Sequence, residues 1–329
     1  MWEYRPKSLE EFIGQSRIRE ELSIYISSVR KREGIFPHTL FIGAPGLGKT
    51  TLARIIAFEL RRDLKITSGP VLDKPGSIAG VLTDIKEGDI LFIDEIHRMP
   101  KPCQEILYSA MEDYALDILV GKNQSAKTIR LALAKFTLIG ATNKPNLLLD
   151  PLIDRFQLTF KLDYYLDEEL KEILLLAGQT LGLYLSEKVA MGLARSSKGI
   201  PRQALNLLRR LREFMIHKST RLDIPLQVTI DDLSEFMRLL DIDEWGLTPE
   251  DRRCLMTLYK DFNGGPVGLN SLALSSRISP EELECIYEPA LIRLGLLART
   301  RRGRVLTPLG KRYLKESVLT NVTFQSKSH

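Results

Sequence analysis

The sequence predicts an α/β domain with a parallel sheet, then a small all-α domain, then a last domain of three helices and a β-hairpin. Short apolar runs at residues 40–42, 89–95 and 136–143 alternate with helical patterns, as the buried strands of a parallel sheet do. Amphipathic helical patterns follow between residues 164 and 243. From residue 248 onward, short helical patterns precede two β-capable stretches around a tight turn.

A glycine-rich segment, Gly43-Ala-Pro-Gly-Leu-Gly-Lys-Thr50, joins the first apolar run to a helical pattern at residues 52–57. The spacing G-x-x-x-x-G-K-T between a strand and a helix is that of a phosphate-binding loop. Its glycines allow successive backbone N–H groups to turn towards a polyphosphate, and the N-terminus of the helix favours the same anion. We expect Lys49 to reach the β- and γ-phosphates of a nucleotide and the Thr50 hydroxyl to ligate Mg²⁺.

Polar residues end the next two apolar runs. Asp94 and Glu95 end the first of them, where open α/β sheets bind their ligands. Asp94 is predicted to hold Mg²⁺ through water, and Glu95 to polarise the attacking water. Asn143 ends the following run and is predicted to orient water or to sense the γ-phosphate, with a structural turn asparagine as the alternative.

Two arginines are further candidates for nucleotide contacts. Arg155 follows a helix start at Asp150-Pro151 and is predicted to be an arginine finger for the nucleotide of a neighbouring subunit. On residue chemistry alone, a surface ion pair is the alternative for Arg155. Arg202 begins a helix after Lys198-Gly-Ile-Pro201, where the helix dipole repels a cation. Because a nearby anion would offset this repulsion, Arg202 is predicted to sense the nucleotide.

Residues 117–131 predict a β-hairpin, with β-capable stretches on either side of the turn-like Gly121-Lys-Asn-Gln124. Its apolar Ile118 and Val120 belong either to the core or to an exposed patch for a partner. Residue chemistry alone leaves both interpretations of the hairpin open.

Positive charge is concentrated near the end of the chain, although the net charge is only +5 and the pI is near 9.0. Residues 289–315 contain no acid and the following bases: Arg293, Arg299, Arg301, Arg302, Arg304, Lys311, Arg312 and Lys315. Three helices and a hairpin with arginines at its tip are typical of a winged-helix domain that contacts nucleic-acid phosphates. An ordinary solvated hairpin is the alternative.

Composition argues against several other classes of protein. Cys103, Cys254 and Cys285 are scattered and form no C-x-x-C pair, which argues against a zinc site or a disulfide framework and favours a reducing cytosol. No apolar run approaches the roughly 20 residues that span a bilayer, and the first residues lack the apolar region of a signal peptide. We therefore expect a cytoplasmic protein without a membrane partner.

Taken together, these motifs resemble the AAA+ ATPases and, among them, the RuvB family of Holliday-junction branch-migration motors. The phosphate-binding loop identifies only a large superfamily. Far more specific are Gly264-Gly-Pro-Val-Gly-Leu269, Tyr287-Glu-Pro289 and Arg302-Gly-Arg304. Phe12-Ile-Gly-Gln15, Leu91-Phe-Ile-Asp-Glu-Ile-His-Arg98 and Asp154-Arg-Phe156 extend the resemblance over nearly the whole chain.

The resemblance implies a P-loop AAA+ core with a parallel sheet, an all-α lid and a winged-helix domain. The implied boundaries are residues 1–163, 164–243 and 244–315, with a flexible tail at 316–329. An ATP-driven hexameric ring around duplex DNA at four-way junctions is implied as well. Its implied partner is a RuvA-like junction-binding protein, docked by the hairpin at residues 117–131.

The resemblance also assigns roles to residues. Asn143 matches the first sensor, Arg155 the arginine finger and Arg202 the second sensor, while Thr50 and Asp94 would serve Mg²⁺. ATP contacts are implied for Tyr4, Arg5, Gly46, Leu47, Gly48, Lys49, Thr50, Thr51, Glu112, Asp113, Tyr114, Arg155, Tyr165 and Arg202. DNA contacts are implied for Arg299, Arg302 and Arg304.

Several positions depart from the pattern of the family. Ile153 and Gln157 stand where the family has an arginine and a glycine beside the finger, and Ala44 and Asn143 replace a common proline and threonine. A diverged paralogue is therefore one alternative. A clamp-loader-like ATPase is the nearest enzyme alternative, and a non-hydrolysing, ATP-switched DNA-binding module, which Ile153 keeps open, is another. The winged third domain argues against a clamp loader, and intact Lys49 and Glu95 argue against a non-hydrolysing module.

Overall fold

The structure, a computed structural model, describes residues 4–120, 127–219 and 225–325. The chain divides into two compact units. The first unit comprises Met1–Leu181 and Gly199–Asn206, and the second comprises Gly182–Lys198 and Leu207–His329. The chain therefore passes from one unit to the other after Leu181, after Lys198 and after Asn206, and Arg202 lies in the short segment that belongs to the first unit.

A parallel sheet forms the centre of the first unit. The strands of this unit are β1 (Thr39–Ile42), β2 (Leu64–Ser68), β3 (Ile90–Asp94), β4 (Ala115–Val120), β5 (Lys127–Ala132), β6 (Thr137–Thr142) and β7 (Leu158–Lys161). The sheet has the order β2-β3-β6-β1-β7, and every neighbouring pair is parallel. β4 and β5 pair antiparallel as a separate hairpin, whose turn at residues 121–126 lies outside the described residues. The predicted parallel sheet is confirmed.

The carboxyl ends of the three central strands lie at one edge of the sheet. Ile42 at the end of β1 is paired with Thr142 at the end of β6, and the neighbouring β3 ends at Asp94. All of β6 is buried, as expected for a strand in the middle of a parallel sheet. The residues that follow these strands, Gly43, Glu95 and Asn143, therefore leave the sheet on the same side.

Helices pack on this sheet and fix the loops at its edge. They are α1 (Ser16–Arg32), α2 (Lys49–Leu60), α3 (Pro75–Thr83), α4 (Lys101–Asp113), α5 (Asp150–Ile153) and α6 (Asp167–Thr180). α2 starts within the phosphate-binding loop and buries Leu52, Ile55 and Ile56 completely or nearly so. Each such side chain contributes about 2 kcal/mol on burial, so the first turn of α2 is held firmly.

A buried histidine ties the base of the sheet together. His38 directly precedes β1, and its Nδ1 accepts a hydrogen bond of 2.8 Å from the Leu138 N–H of β6. The neutral ring then carries its proton on Nε2, 3.4 Å from the Met111 carbonyl oxygen of α4. Burial lowers the pKa of His38 to about 4, and the Met111 carbonyl opposes this only in part. His38 is therefore neutral in the folded protein at neutral pH.

We predict that His38 makes folding sensitive to mild acid. The unfolded chain takes up a proton near pH 6.5, whereas the folded chain resists protonation until pH is about 4. The unfolded state thus binds more protons in this window, and the free energy of unfolding falls by up to about 3 kcal/mol as pH drops through it. Urea unfolding between pH 7.5 and 4.5 measures this loss. A His38→Asn variant should lose less stability, whereas His217→Asn, at an exposed site, should match the wild type; equal pH profiles for all three proteins would contradict the prediction.

The second unit begins with part of the predicted all-α domain. Its elements are β8 (Leu183–Leu185), α7 (Glu187–Ser196), most of α8 (Pro201–Lys218), β9 (Leu226–Val228) and α9 (Ile230–Leu239). The side chains of Ser186 and Thr229 cap α7 and α9. The predicted helical segments, now α6 to α9, are confirmed. The parallel pair β8–β9 is an addition, because three-residue strands are too short to show a period in the sequence.

The rest of the second unit contains helices around a small hairpin. Its elements are α10 (Pro249–Lys260), α11 (Leu269–Ser276), α12 (Pro280–Glu282), a π-helical turn (Leu283–Tyr287), α13 (Glu288–Arg293), β10 (Leu297–Thr300), β11 (Gly303–Leu306) and α14 (Pro308–Gln325). β10 and β11 are antiparallel, and Leu306 of β11 packs in one core with Leu255, Leu272 and Leu291. The predicted three helices and hairpin, a winged-helix arrangement, are confirmed.

The last helix extends beyond its predicted end. The sequence predicts a flexible tail at residues 316–329, whereas the backbone is helical through Gln325. Neither glycine nor proline follows Gly310, so no residue ends the helix earlier. Tyr313 and Leu314 are buried and hold the preceding turns of α14 on the domain. Residues 326–329 lie outside the described part of the chain.

The described residues carry free thiols, with Cys103 and Cys254 buried and Cys285 partly buried. Across residues 4–120, 127–219 and 225–325, no helix combines the length and the apolar character needed to cross a membrane. The same residues hold no group of three or more His, Cys, Asp or Glu side chains suited to a metal ion.

Candidate active site

The phosphate-binding loop runs from β1 into α2. Gly43 donates its N–H to the Thr142 carbonyl at 3.0 Å, which fixes the start of the loop beside β6. Gly46 and Gly48 have φ values of +85° and +104°, a region that favours glycine. A Cβ on Gly46 would also lie 2.9 Å from the Cβ of Arg202. Glycine is therefore required at position 46 by both the turn and the close approach.

Lys49 is the buried cation of this site. Its Nζ donates hydrogen bonds of 2.8 Å to the carbonyl oxygens of Gly43 and Ala44. Burial lowers the pKa of Lys49 to about 8; the carboxylates of Asp94 and Glu95 oppose this shift, while Arg202 adds to it. The fold thus brings three further predicted residues, Asp94, Glu95 and Arg202, within electrostatic range of Lys49.

Asp94 and Glu95 leave β3 through an unusual backbone turn. Glu95 has a φ of +48°, and its N–H donates to Asp94 Oδ1 at 3.0 Å. Arg98 Nη1 donates to Glu95 Oε2 at 3.0 Å, and both side chains are about half exposed. The carboxylate of Glu95 is therefore held near the surface by a pair that solvent can weaken.

Thr142 and His97 stand beside the first-sensor position. Asn143 directly follows β6 and is partly buried. Thr142 Oγ1 lies 3.0 Å from His97 Nδ1 and accepts the Lys144 N–H at 3.0 Å. Burial lowers the pKa of His97, which Glu95 opposes in part. No role is predicted for His97 from the sequence, although it lies two residues after Glu95 in the same motif.

Arg202 is fixed to the loop through its backbone. Its N–H points to the Gly46 carbonyl oxygen at 3.4 Å, and its side chain is exposed. Three residues earlier, the Gly199 carbonyl accepts the Tyr165 N–H at 2.9 Å. The buried Tyr165 hydroxyl in turn donates to the Leu47 carbonyl at 3.3 Å, and burial raises the pKa of Tyr165. Residues 199–202, the sensor strap, therefore lie along the phosphate-binding loop.

The remaining predicted nucleotide contacts differ in how far they are buried. Thr50 and Thr51 are partly buried in the first turn of α2. Tyr4 is partly buried, and burial raises its pKa with help from Glu11 and Glu172, while Arg5 is exposed. Gln15, for which the sequence predicts no role, bonds to the Asp163 backbone through both atoms of its amide. Its Nε2 donates to the Asp163 carbonyl oxygen at 2.6 Å and its Oε1 accepts the Asp163 N–H at 3.2 Å, which supports the nearby Tyr165.

Glu112, Asp113, Tyr114 and Arg155 form a second group at the end of α4. Arg155 Nη2 donates to Glu112 Oε2 at 2.6 Å, and Asp113 is paired with Arg130 of β5. Tyr114 ends α4 in the left-handed region and packs edge-on against Phe136. The two ion pairs join this group and Arg130 into one surface group, in which the side chains of Arg155 and Arg130 are 37% and 57% exposed. Arg155 is thus presented partly to solvent, bound to an acid of its own chain.

The three predicted DNA contacts of the wing, β10 and β11, differ in accessibility. Arg299 is 57% exposed and donates to Glu284 at 3.2 Å. Arg302, in the turn, is exposed. Arg304 is only 7% exposed, and its guanidinium donates to Glu288 Oε2 at 2.9 and 3.2 Å. The surface of the wing therefore carries Arg299 and Arg302, whereas Arg304 is held inside the domain.

Three family models match consecutive parts of the chain. The RuvB P-loop domain of Holliday junction DNA helicases matches residues 4–162, the RuvB AAA lid domain matches 165–243, and the RuvB C-terminal winged helix domain matches 244–315. The chain belongs to the RuvB family. The P-loop AAA+ core, lid and winged helix expected from the sequence are therefore confirmed.

Relatives in this family are similar over almost their full length. Two relatives are the RuvB subunits of the Holliday junction branch migration complex from Fervidobacterium nodosum and Thermotoga maritima. Each is 44% identical to this chain over an alignment that covers 97% of this chain, and the alignments cover 91% and 94% of the two relatives. The solved structure of the T. maritima RuvB Holliday junction branch migration motor superposes with a TM-score of 0.83 at 41% identity. That match covers 94% of this chain and 98% of the other.

Proposed function

We propose that this chain is an ATP-driven hexameric motor that moves duplex DNA and drives Holliday-junction branch migration with a RuvA-like partner. Its membership of a family of branch-migration motors supports the motor activity. The observation that carries the proposal is the convergence of Lys49, Asp94, Glu95 and Arg202 on one phosphate-binding loop. A cytoplasmic location is part of this proposal, because junction DNA is the proposed substrate.

The chemistry of the loop fits ATP with Mg²⁺. The ammonium group of Lys49 is held on the loop by the Gly43 and Ala44 carbonyl oxygens and can donate to phosphate oxygens in the same way. The Thr50 hydroxyl and the Asp94 carboxylate are hard oxygen donors of the kind that Mg²⁺ prefers. Bound there, Mg²⁺ would offset negative charge on the β- and γ-phosphates. Tyr165 and residues 199–202 close the loop from the side.

Glu95 is the proposed general base for the attacking water. Its carboxylate is about half exposed and pairs with Arg98, so it is accessible to water at the edge of the sheet. Asn143 leaves the same edge from β6 and is proposed to orient that water. Arg202, bonded through its backbone to Gly46, is proposed to report the state of the γ-phosphate to the lid.

Arg155 is proposed to act on the nucleotide of the next subunit in the ring. Its partial exposure supports this role, since a trans-acting arginine has to reach beyond its own chain. On contact it would exchange Glu112 for a phosphate oxygen. Ile153 and Gln157, which depart from the family beside Arg155, are proposed to tune this exchange and not to abolish it.

The domain boundaries remain as proposed from the sequence, at residues 1–163, 164–243 and 244–315. The matched spans of the three family models, 4–162, 165–243 and 244–315, support them. Within the last domain, exposed Arg299 and Arg302 are proposed to contact DNA phosphates, with Arg304 holding the wing in place.

The β4–β5 hairpin is the proposed dock for the RuvA-like partner. Ile129 and Leu131 of β5 are 52% and 40% exposed, an apolar surface on a two-stranded element. The side chains of Ile118 and Val120, on which the sequence interpretation depended, lie outside the described residues. Exposure of the β5 side chains supports the interpretation of the hairpin as a partner patch over that of a core element.

A four-way-junction migration assay tests the proposed function. We expect ATP-dependent movement of a synthetic junction, increased by a RuvA-like protein and lost with a non-hydrolysable ATP analogue. ATP hydrolysis without junction movement under either condition would remove the motor and favour the clamp-loader alternative. Absence of hydrolysis with DNA binding retained would favour the ATP-switched binding module.

A further inference from the structure

Three sequence segments of the last domain take no part in the proposed nucleotide chemistry: Gly264-Gly-Pro-Val-Gly-Leu269, Tyr287-Glu-Pro289 and Arg302-Gly-Arg304. The structure brings the three segments into contact at Arg304 of β11, the second strand of the wing. Val267 and Arg304 exchange both backbone hydrogen bonds, at 2.8 and 3.0 Å. A Cβ on Gly265 would overlap the Arg304 carbonyl oxygen, so this close pairing requires glycine there.

Glu288 holds the side chain of Arg304. Both groups are almost fully buried, and Nε and Nη2 of Arg304 donate to Glu288 Oε2 at 3.2 and 2.9 Å. The backbone of Arg304 is bonded to Val267 and its guanidinium is bonded to Glu288. Arg304 therefore anchors β11 through both its backbone and its side chain. The orientation of the wing therefore depends on Glu288, the first residue of α13.

The neighbouring residue, Tyr287, faces a second buried cation. Lys198 Nζ lies 5.9 Å from the centre of the Tyr287 ring and is paired with Asp251. Asp251 is completely buried and also accepts the Thr248 N–H and hydroxyl at 2.9 and 2.8 Å. Lys198 is only 7% exposed. Lys198, at the end of a loop of the lid, is thus held on the winged-helix domain by its ion pair with Asp251.

The two buried pairs lie close together. Burial raises the pKa of the Cys254 thiol to about 12, and both Asp251 and Glu288 add to this shift, so the two carboxylates flank one side chain. Each carboxylate binds its donors through one oxygen and leaves the other buried without a hydrogen-bond partner among the described residues. Such an arrangement contributes little net stability, because desolvation offsets the attraction of the charges. A role in fixing geometry explains it better than a role in stability.

Lys198 is also the last residue before the sensor strap. Arg202 at the end of the strap bonds directly to the phosphate-binding loop through the Gly46 carbonyl, and Gly199 at its start bonds to Tyr165, whose hydroxyl reaches the Leu47 carbonyl of the loop. Lys198 is bonded to the first residue of the strap, Gly199, so a displacement of the strap would reach Lys198 through the backbone.

We infer that Lys198, Asp251, Tyr287 and Glu288 form a coupling element that transmits the nucleotide state from the sensor strap to the wing. Tyr287 and Glu288 are adjacent, so one short segment holds Lys198 on one side and Arg304 on the other. These are positioning residues that touch neither nucleotide nor DNA. The inference rests on the proposed motor function and adds the route by which ATP turnover reaches the DNA.

The test compares coupling with basal activity in the full-length chain. Lys198→Met combined with Asp251→Asn removes both charges and keeps an acceptor for Thr248, so the fold is retained. We expect basal ATP turnover to stay within about twofold of the wild type, whereas stimulation by duplex DNA falls by about fivefold or more. The difference in DNA affinity between ADP and a non-hydrolysable ATP analogue should shrink by a similar factor. Lys198→Arg, which keeps the charge, should retain most of both couplings.

A second pair of variants tests the aromatic contact independently. Tyr287→Phe keeps the ring and should behave as the wild type, whereas Tyr287→Leu removes the ring face and should reduce coupling. A neutral Lys198/Asp251 pair with wild-type melting temperature and wild-type coupling would overturn the inference, as would equal coupling in the two Tyr287 variants. A wild-type chain without DNA-stimulated turnover would instead overturn the proposed function, which separates the two failures.

Discussion

Replacing Glu95 by glutamine should lower steady-state ATP turnover by about a hundredfold or more while leaving ATP binding almost unchanged. Glutamine has the size of glutamate and still accepts the hydrogen bond that Arg98 donates to Glu95 Oε2 at 3.0 Å. What it lacks is the basic carboxylate that takes a proton from the attacking water. Turnover measured by phosphate release, and affinity measured with a fluorescent ATP analogue, separate the two effects.

Glu105→Gln is the matched control for this experiment. Glu105 is an exposed acid on α4 that has no part in the proposed site, so its replacement should leave turnover unchanged. If Glu95→Gln hydrolyses ATP as fast as this control, Glu95 is not the base, and the proposed assignment of the residues at the edge of the sheet is wrong.

Replacing Arg155 by alanine should lower ATP turnover by about a thousandfold, with ATP binding retained. Turnover falls because the negative charge on the γ-phosphoryl group in the transition state is no longer stabilised by the Arg155 guanidinium. Mixing distinguishes action within a chain from action on a neighbour. In a mixed ring, an Arg155→Ala subunit with intact Glu95 receives Arg155 from a Glu95→Gln neighbour. Equimolar mixing should therefore restore turnover that neither variant has alone.

Arg130→Ala serves as the control for Arg155. Arg130 lies in the same surface group, is 57% exposed and pairs with Asp113, so its loss should cost little turnover. Mixed rings that assemble and bind ATP but remain inactive would place Arg155 in its own site and not in that of the next subunit.

Much of the candidate site follows from local patterns in the sequence. The glycine spacing of the loop, the apolar strands and the acids after β3 are short-range signals, and they predict which residues share the edge of a parallel sheet. The caps of α7 and α9 are local in the same way, because Ser186 and Thr229 bond to residues three positions later.

Other features depend on contacts between distant residues, and the sequence does not contain them in readable form. Arginine at position 304 has the same chemistry as Arg299, and only the fold places Glu288 against it and buries it. Lys198 lies fifty-three positions from Asp251, and a lysine in a loop is usually exposed. The role of Gln15 is equally hidden, since its partner Asp163 is 148 positions away.

The hydrogen bonds of Lys49 have a consequence for how long nucleotide stays bound. Its ammonium group has the carbonyl oxygens of Gly43 and Ala44 in the loop itself as partners at 2.8 Å. Arrival of ATP is then an exchange of partners, and departure of ADP lets the lysine return to a satisfied state. An exchange of this kind contributes only about 1 kcal/mol net per hydrogen bond. Release of ADP therefore leaves the Lys49 ammonium group with hydrogen-bond partners. We expect this to shorten the residence time of ADP, which suits an ATPase that turns over repeatedly.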